Sequence, residues 1–252
     1  MDNPPQTTAW SVDERQLCPN ADLTEKLRFA LRYAVLAPSN HNTQPWHFIV
    51  DRDSVTLCAD RTRALPVVDP FDRELLISCG TALFNLRVAL SRFGLAYAIT
   101  LLPSTADVDV LAHLRVVHDG RCDTSLTPLF DAIPLRVTTR ETFADEPAPS
   151  GFQQRLVEAV TMEGCDTVCV ESVAGREQLA DLIGEADQAQ FKDPRFRREL
   201  ASWIHPRRLQ DGMPALSPGM RVLLDLAVPL VSSVIRSSIW EAVWPRRIIR
   251  SP

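Results

Sequence analysis

Apolar residues first fall into register at Leu27, Leu31, Ala34 and Val35, behind Asp22-Leu23-Thr24-Glu25. A capping residue with a carboxylate three positions on, followed by helical spacing, predicts a helix from about residue 22. Pro38 bounds it, because proline disfavours helical geometry in the residue before it. His47–Val50 and Ser54–Ala59 then read as short strands, and Asp51-Arg52-Asp53 between them is turn chemistry, so a hairpin follows. A proline-bounded loop, Leu65 to Pro70, leads into the strongest helical pattern in the chain, Arg73 to Phe93, which Gly94 closes as a C-cap. Leu76, Cys79, Leu83, Leu86, Val88 and Leu90 cover most of its circumference, which predicts a central, buried helix. Tyr97–Leu102 and Leu111–Val117 are the next strand candidates.

Beyond residue 123 the pattern restarts more weakly. Leu126–Ile133 reads as a short helix, Arg136–Phe143 as a polar, β-branched segment, and Gly151–Val160 as a helix capped by Ser150. A strand at Thr167–Val170 and a long helix at Arg176–Phe191 follow. Helices beside short antiparallel strands indicate an α+β sandwich rather than a doubly wound sheet. The break at 120–150 reads as a domain boundary or as the seam between two halves of one sandwich, and the seam is the preferred reading, since neither half alone has many strands.

Composition narrows the function. The chain of 252 residues has 45% apolar and 23% charged residues and a net charge of −5, the profile of an ordinary globular protein with no electrostatic footprint for nucleic acid. Neither a Gly-x-Gly-x-x-Gly nor a P-loop sequence occurs, which argues against a Rossmann or P-loop nucleotide site. None of the six cysteines forms a Cys-x-x-Cys pair. Cys58, Cys79 and Cys169 lie in apolar stretches and read as small core residues, in keeping with a reducing compartment. Residues 1–20 lack the apolar segment of a secretory signal, so 1–21 is assigned as an N-terminal arm and the expected location is cytoplasmic. The apolar tract Val222–Ile235 is too short to span a bilayer, which argues against membrane contact by the tail.

Chemistry concentrates at Ala37-Pro38-Ser39-Asn40-His41-Asn42-Thr43-Gln44-Pro45-Trp46-His47-Phe48, where the first helix meets the first strand. Ser39, Asn42 and Gln44 offer donors and acceptors suited to a ring of alternating carbonyls and nitrogens. Pro38 and Pro45 stiffen the turn, and Trp46 adds a flat apolar face. A plain capped turn, in which Asn and Ser bond their own backbone, accounts for the same composition. His41 and His47 flank the motif without carboxylate or cysteine partners, so they read as turn histidines rather than a metal pair.

The string Ala-Pro-Ser-x-x-Asn-x-Gln-Pro-Trp-x-Phe at residues 37–48 resembles the FMN-contact motif of the nitroreductase superfamily. Further segments resemble its actinobacterial Acg-type NAD(P)H nitroreductase branch: Ala59–Pro66, Asp69-Pro70, Ile77–Leu86, Arg136–Phe143, Arg198–Trp203 and Asp211–Pro214. The resemblance implies an FMN-dependent α+β sandwich, an antiparallel sheet with a central buried helix, built as two pseudo-repeated halves. Residues 22–120 would form the first half, carrying the FMN motif, and 121–214 a partial second half. Residues 215–252 form a divergent apolar, arginine-rich tail that no longer resembles the family's C-terminal elements, implying a shortened second half.

By the same resemblance the cofactor-binding residues are Ser39, His41, Asn42, Gln44, Pro45, Trp46, His47 and Phe48. Arg140 joins them as a candidate for the phosphate; a surface ion pair is the alternative reading for that residue, and Thr139 and Val137 depart from the family pattern beside it. The implied activity is hydride transfer from NAD(P)H through FMN to a nitro-aromatic, quinone or similar acceptor. Flavin chemistry requires no protein nucleophile, so no catalytic acid or base is nominated. Two other readings stand beside it: a flavin-binding or sequestering protein without turnover, and a degenerate paralogue without flavin. The chain is compatible with a homodimer.

Overall fold

The computed structural model describes residues 9–138, 143–144, 146–204, 211–213 and 233. They fall into two compact units: one running to Val137 and resuming at Pro194, the other spanning Thr138–Asp193. The N-terminal eight residues, Arg140 and almost all of the tail lie outside the described residues.

The first unit begins with helix α1 (Leu23–Ala34). Its start is a capping box: the Asp22 carboxylate accepts the Glu25 N–H at 2.8 Å, and the Glu25 carboxylate accepts the Asp22 N–H at 2.9 Å. Leu27, Ala30, Tyr33 and Ala34 form its buried stripe. Strands β1 (Trp46–Val50) and β2 (Ser54–Ala59) make the expected hairpin, with Trp46 opposite Ala59 and Val50 opposite Val55. β3 (Tyr97–Leu101) and β4 (Val110–Val116) complete a four-stranded, wholly antiparallel sheet in the order β1-β2-β4-β3. Val55 and Leu57 of β2, with Ala112, Leu114 and Val116 of β4, face the core. His47, Ile49, Ala98, Thr100 and Arg115 lie on the solvent side of the pleat.

Helix α2 (Arg73–Arg92) runs through the middle of this unit. It ends as the sequence predicts: Gly94 sits at φ +69°, the Leu95 N–H reaches the Leu90 carbonyl at 2.9 Å, and the Gly94 N–H reaches Ser91 at 3.2 Å. This is a Schellman closure, which favours glycine at the left-handed position. Its start is less conventional. Asp72 is itself left-handed and makes no cap; the buried Asp69 accepts the Leu75 N–H at 2.9 Å instead.

The C-terminal half of α2 is enclosed, with Leu86, Val88, Ala89 and Leu90 at 1% exposure or less. There an aromatic group of Phe29, Tyr33, Phe93 and Phe130 packs edge to face or tilted. The expectation of a wholly buried helix fails in the N-terminal half. Leu75, Ser78, Cys79 and Ala82 point inward, while Leu76 and Ile77 are 47% and 60% exposed. The apolar residues encircle the helix, but the described unit has only enough layers to cover one side of this half.

The segment read as a helix at Leu126–Ile133 is a 3-10 turn, Thr124–Ala132, with Pro128 inside it; Pro128 lacks the N–H that an α-helix would use. Helix α5 of this unit, Pro194–Trp203, opens on proline at its first position and buries Phe196 and Ala201.

The second unit carries α3 (Phe152–Met162) and α4 (Val173–Lys192), neither of which buries a residue. Ser172 caps α4 by accepting the Gly175 N–H at 3.1 Å. Three expectations are corrected here. The cap of α3 is Gly151 at φ +73°, not Ser150. Thr167–Val170 forms no strand, because no strand among the described residues offers a ladder to pair with; Val168 is 88% exposed, and Cys169, read from the sequence as a core residue, lies at the surface.

Candidate functional site

The turn between α1 and β1 is built from three left-handed residues, His41 (φ 48°), Asn42 (φ 54°) and Gln44 (φ 52°). A non-glycine residue costs about 1–2 kcal/mol in this conformation, asparagine less than most. Such a run persists only where the surroundings over-determine it, and here hydrogen bonds converge from four directions. From within, the Gln44 N–H donates to Ser39 Oγ at 2.9 Å, and the N–H groups of Asn42 and Thr43 close 3-10 bonds to Ser39 and Asn40. From α2, Ser78 Oγ accepts the Asn40 N–H at 3.3 Å and Thr81 Oγ1 donates to the Pro38 carbonyl at 2.9 Å.

From the loop after β2, Arg63 Nη1 donates to the Thr43 carbonyl at 2.9 Å and the Asp60 N–H to the Pro45 carbonyl at 2.9 Å. From the short strap 211–213, the Gly212 N–H donates to the Asn42 carbonyl while Asn42 Nδ2 donates back to the Gly212 carbonyl, both at 3.1 Å. Arg63 ties the strap as well, through Asp211 at 3.0 Å.

The same loop carries a second brace. Arg61 pairs with Asp109 at 2.6 Å and with Asp72 at the head of α2. Further along it, both Glu199 carboxylate oxygens accept backbone N–H groups, Val67 at 3.0 Å and Val68 at 2.9 Å, so α5 clasps the loop. Beneath the turn, among Thr43, Arg63, Asp69 and Ser78, the free space is about 10 Å³, which is room for one water. A planar ligand would therefore lie on the outer side of the turn. On α2, Leu76 and Ile77 are exposed apolar residues, and a Cβ placed on Gly80 would meet nothing within 4 Å.

The residues expected to bind cofactor take different places. Pro45 and Trp46 are core residues: Pro45 is under 2% exposed, and Trp46, at 9%, packs with Leu57, Leu75, Cys79 and Ala82. Phe48 is partly buried and packs against both core clusters. They hold the turn from below. Ser39 spends its hydroxyl on the turn's own backbone. His41, Asn42 and Gln44 stand together at the half-exposed rim, and His47 lies on the solvent face of β1. Asn42 commits its Nδ2 to the Gly212 carbonyl, and the amide of Gln44, the imidazole of His41 and the amide oxygen of Asn42 are groups of the kind that suit a ring bearing carbonyls and nitrogens. Arg140 lies outside the described residues.

Cys79, which donates to the Pro45 carbonyl at 3.2 Å, has its thiol pushed up to about 12 by burial. It is a structural thiol. All six cysteines are free.

No family model matches the chain. Two proteins of Mycobacterium tuberculosis, named "Putative NAD(P)H nitroreductase acg" and "Putative NAD(P)H nitroreductase Rv3131", are 30% and 31% identical to it over 193 residues. Each match covers 76% of this chain, and 57% and 54% of those proteins respectively. The "Probable NAD(P)H nitroreductase PigM" of a Serratia strain is 39% identical over 79 residues, 30% of this chain and 21% of that protein. Over about three quarters of its length the chain is similar to proteins named as Acg-type NAD(P)H nitroreductases. It spans just over half the length of the M. tuberculosis nitroreductases it matches. The four-stranded antiparallel sheet packed on helices is compatible with the nitroreductase fold.

Sequence reasoning missed the groups that shape the turn: Arg63, Thr81, Ser78, Asp211 and Gly212. Their partners lie up to 170 positions away, so no local pattern reveals them. Only Gly212, a glycine two residues before Pro214, carried a local turn signal.

Proposed function

We propose that the chain acts as an FMN-dependent oxidoreductase of nitroreductase type, drawing on NAD(P)H and reducing a nitro-aromatic, quinone or similar acceptor. The observation that carries the reading is the turn itself: three left-handed residues, braced by hydrogen bonds from α2, the loop after β2 and the strap 211–213, leave His41, Asn42 and Gln44 at a partly exposed rim. FMN, when bound, accepts a hydride and returns electrons to an acceptor, so the protein supplies position and electrostatics only. In this reading His41, Asn42 and Gln44 meet the ring, Ser39 fixes the backbone, and Pro45, Trp46 and Phe48 keep the rim rigid. His47 and Arg140 complete the polar set, Arg140 toward the phosphate. Residues 22–120 and 121–214 would be two pseudo-repeated halves. The cytoplasm is the proposed location, and a homodimer the proposed assembly, since Leu76 and Ile77 are open to cover.

Titration of the 252-residue chain with FMN, following flavin fluorescence and thermal stability together, tests the proposal. A saturable fluorescence change with a rising Tm supports it, because a ligand at 100 times its Kd stabilises by about 2.7 kcal/mol. No change in either signal overturns it. Anaerobic addition of NADH or NADPH should then bleach the flavin band. A bound flavin that neither reductant bleaches identifies a flavin-holding protein without turnover.

A further inference from the structure

The geometry points to Arg63, Asp211 and Gly212 as positioning residues that hold the turn 39–44 in its ligand-facing conformation, a role that rests on the FMN reading above. Gly212 exchanges two hydrogen bonds with Asn42, one through each residue's carbonyl, and Asn42 is the middle of the left-handed run. A single arginine nitrogen, Arg63 Nη1, spans the next peptide of the turn and the strap, at 2.9 Å to Thr43 O and 3.0 Å to Asp211 Oδ2. The strap is held in turn by α5, since the Met213 N–H donates to the Trp203 carbonyl at 2.8 Å and Ile204 bridges Met213.

Gly212 cannot be exchanged within this arrangement. It stands at φ +76°, and a Cβ there would lie 2.6 Å from the Trp203 carbonyl oxygen. Any side chain must push the strap off α5 or off Asn42. The turn and the strap therefore form one two-sided element. Ordering of either favours the other, and a ligand seated on the turn must tighten the strap by the same factor that the strap tightens the ligand.

Amide hydrogen exchange, read by mass spectrometry on peptides covering 39–45 and the strap, tests this without relying on activity. In the apo protein Gly212→Ala and Arg63→Ala should each speed exchange of the turn peptide at least tenfold, while peptides of α1 and the C-terminal half of α2 keep their rates. FMN should slow both the turn and strap peptides of the wild-type chain, and each variant should bind FMN at least tenfold more weakly. Asp211→Asn keeps an acceptor but loses the charge, and should fall between. It also decides the matter if Gly212→Ala proves too unstable to purify.

Unchanged turn exchange in Arg63→Ala and Asp211→Asn overturns the assignment whatever FMN does. Faster turn exchange in the variants, with no FMN binding by the wild type, leaves the clasp standing and removes the flavin reading instead.

Discussion

Glu199→Gln is the sharpest probe of how α5 reaches the site. The carboxylate accepts two adjacent backbone N–H groups, one on each oxygen, from Val67 and Val68. Hydrogen bonds to a charged acceptor contribute about 1.5–3 kcal/mol. Glutamine keeps one carbonyl acceptor but turns an NH₂ donor toward the second N–H. One bond survives without its charge, and two donors face each other. Since both valines are only half-buried, water satisfies part of the lost demand, and the net cost comes to about 2 kcal/mol.

For a domain of this size that lowers Tm by about 4–8 °C. Glutamate and glutamine have nearly the same helix propensity, so α5 itself loses nothing, and Glu199→Ala should cost about the same. Urea unfolding at pH 7, followed by tryptophan fluorescence and far-UV circular dichroism, gives both values. If Glu199→Gln unfolds at the wild-type midpoint with the same m-value while Glu199→Ala is destabilised, the clasp is a packing contact and the reasoning fails.

Three other perturbations separate structure from ligand binding. Trp46→Ala should destabilise the fold by about 3–5 kcal/mol, the usual cost of emptying a buried aromatic site; chemical denaturation of the apo protein shows this, and a near-native midpoint would return Trp46 to the ligand face. Glu14 is held below the usual carboxylate range by hydrogen bonds from Arg92 at 2.7 and 2.8 Å. A depressed folded pKa gives stability that is present above the unfolded value of 4.5 and lost as pH falls through the folded one. The drop in urea midpoint from pH 6 to pH 3 should therefore be smaller in Glu14→Gln than in wild type, and an equal drop would refute the pairing. Iodoacetamide at pH 8, with peptide mapping, should modify Cys18, Cys165 and Cys169 in the native protein and leave Cys79, buried and with a thiol pushed up to about 12, untouched until urea is added.

The elements of the first unit were legible because their signals are local. Asp22 and Glu25 sit one turn apart, the 51–53 turn separates two apolar strands, and Gly94 falls just past the last apolar position of α2. The site was legible only as a place. Its composition pointed to the stretch 37–48, but a tryptophan and proline that read as ligand contacts are core residues, because side-chain direction depends on packing that the motif does not encode. At Thr167–Val170, β-branched residues with no strand beside them among the described residues stay in coil. The half-open face of α2 was hidden for a similar reason: sequence gives the circumference of an apolar helix, not how many layers surround it.

The pairing of Asn42 with Gly212 also sets an order of events during synthesis. The turn and both strands of its hairpin leave the ribosome before α2 and β3, and β4 must wait for these before it can lie beside β2. The residue that closes the turn comes 170 positions after the one it closes. At translation rates of about 5–20 residues per second that interval is roughly 10–30 s. Through it, the hairpin and the central helix can already be in place while the rim above them lacks its last fastening. The turn is thus made well before the strap that fastens it.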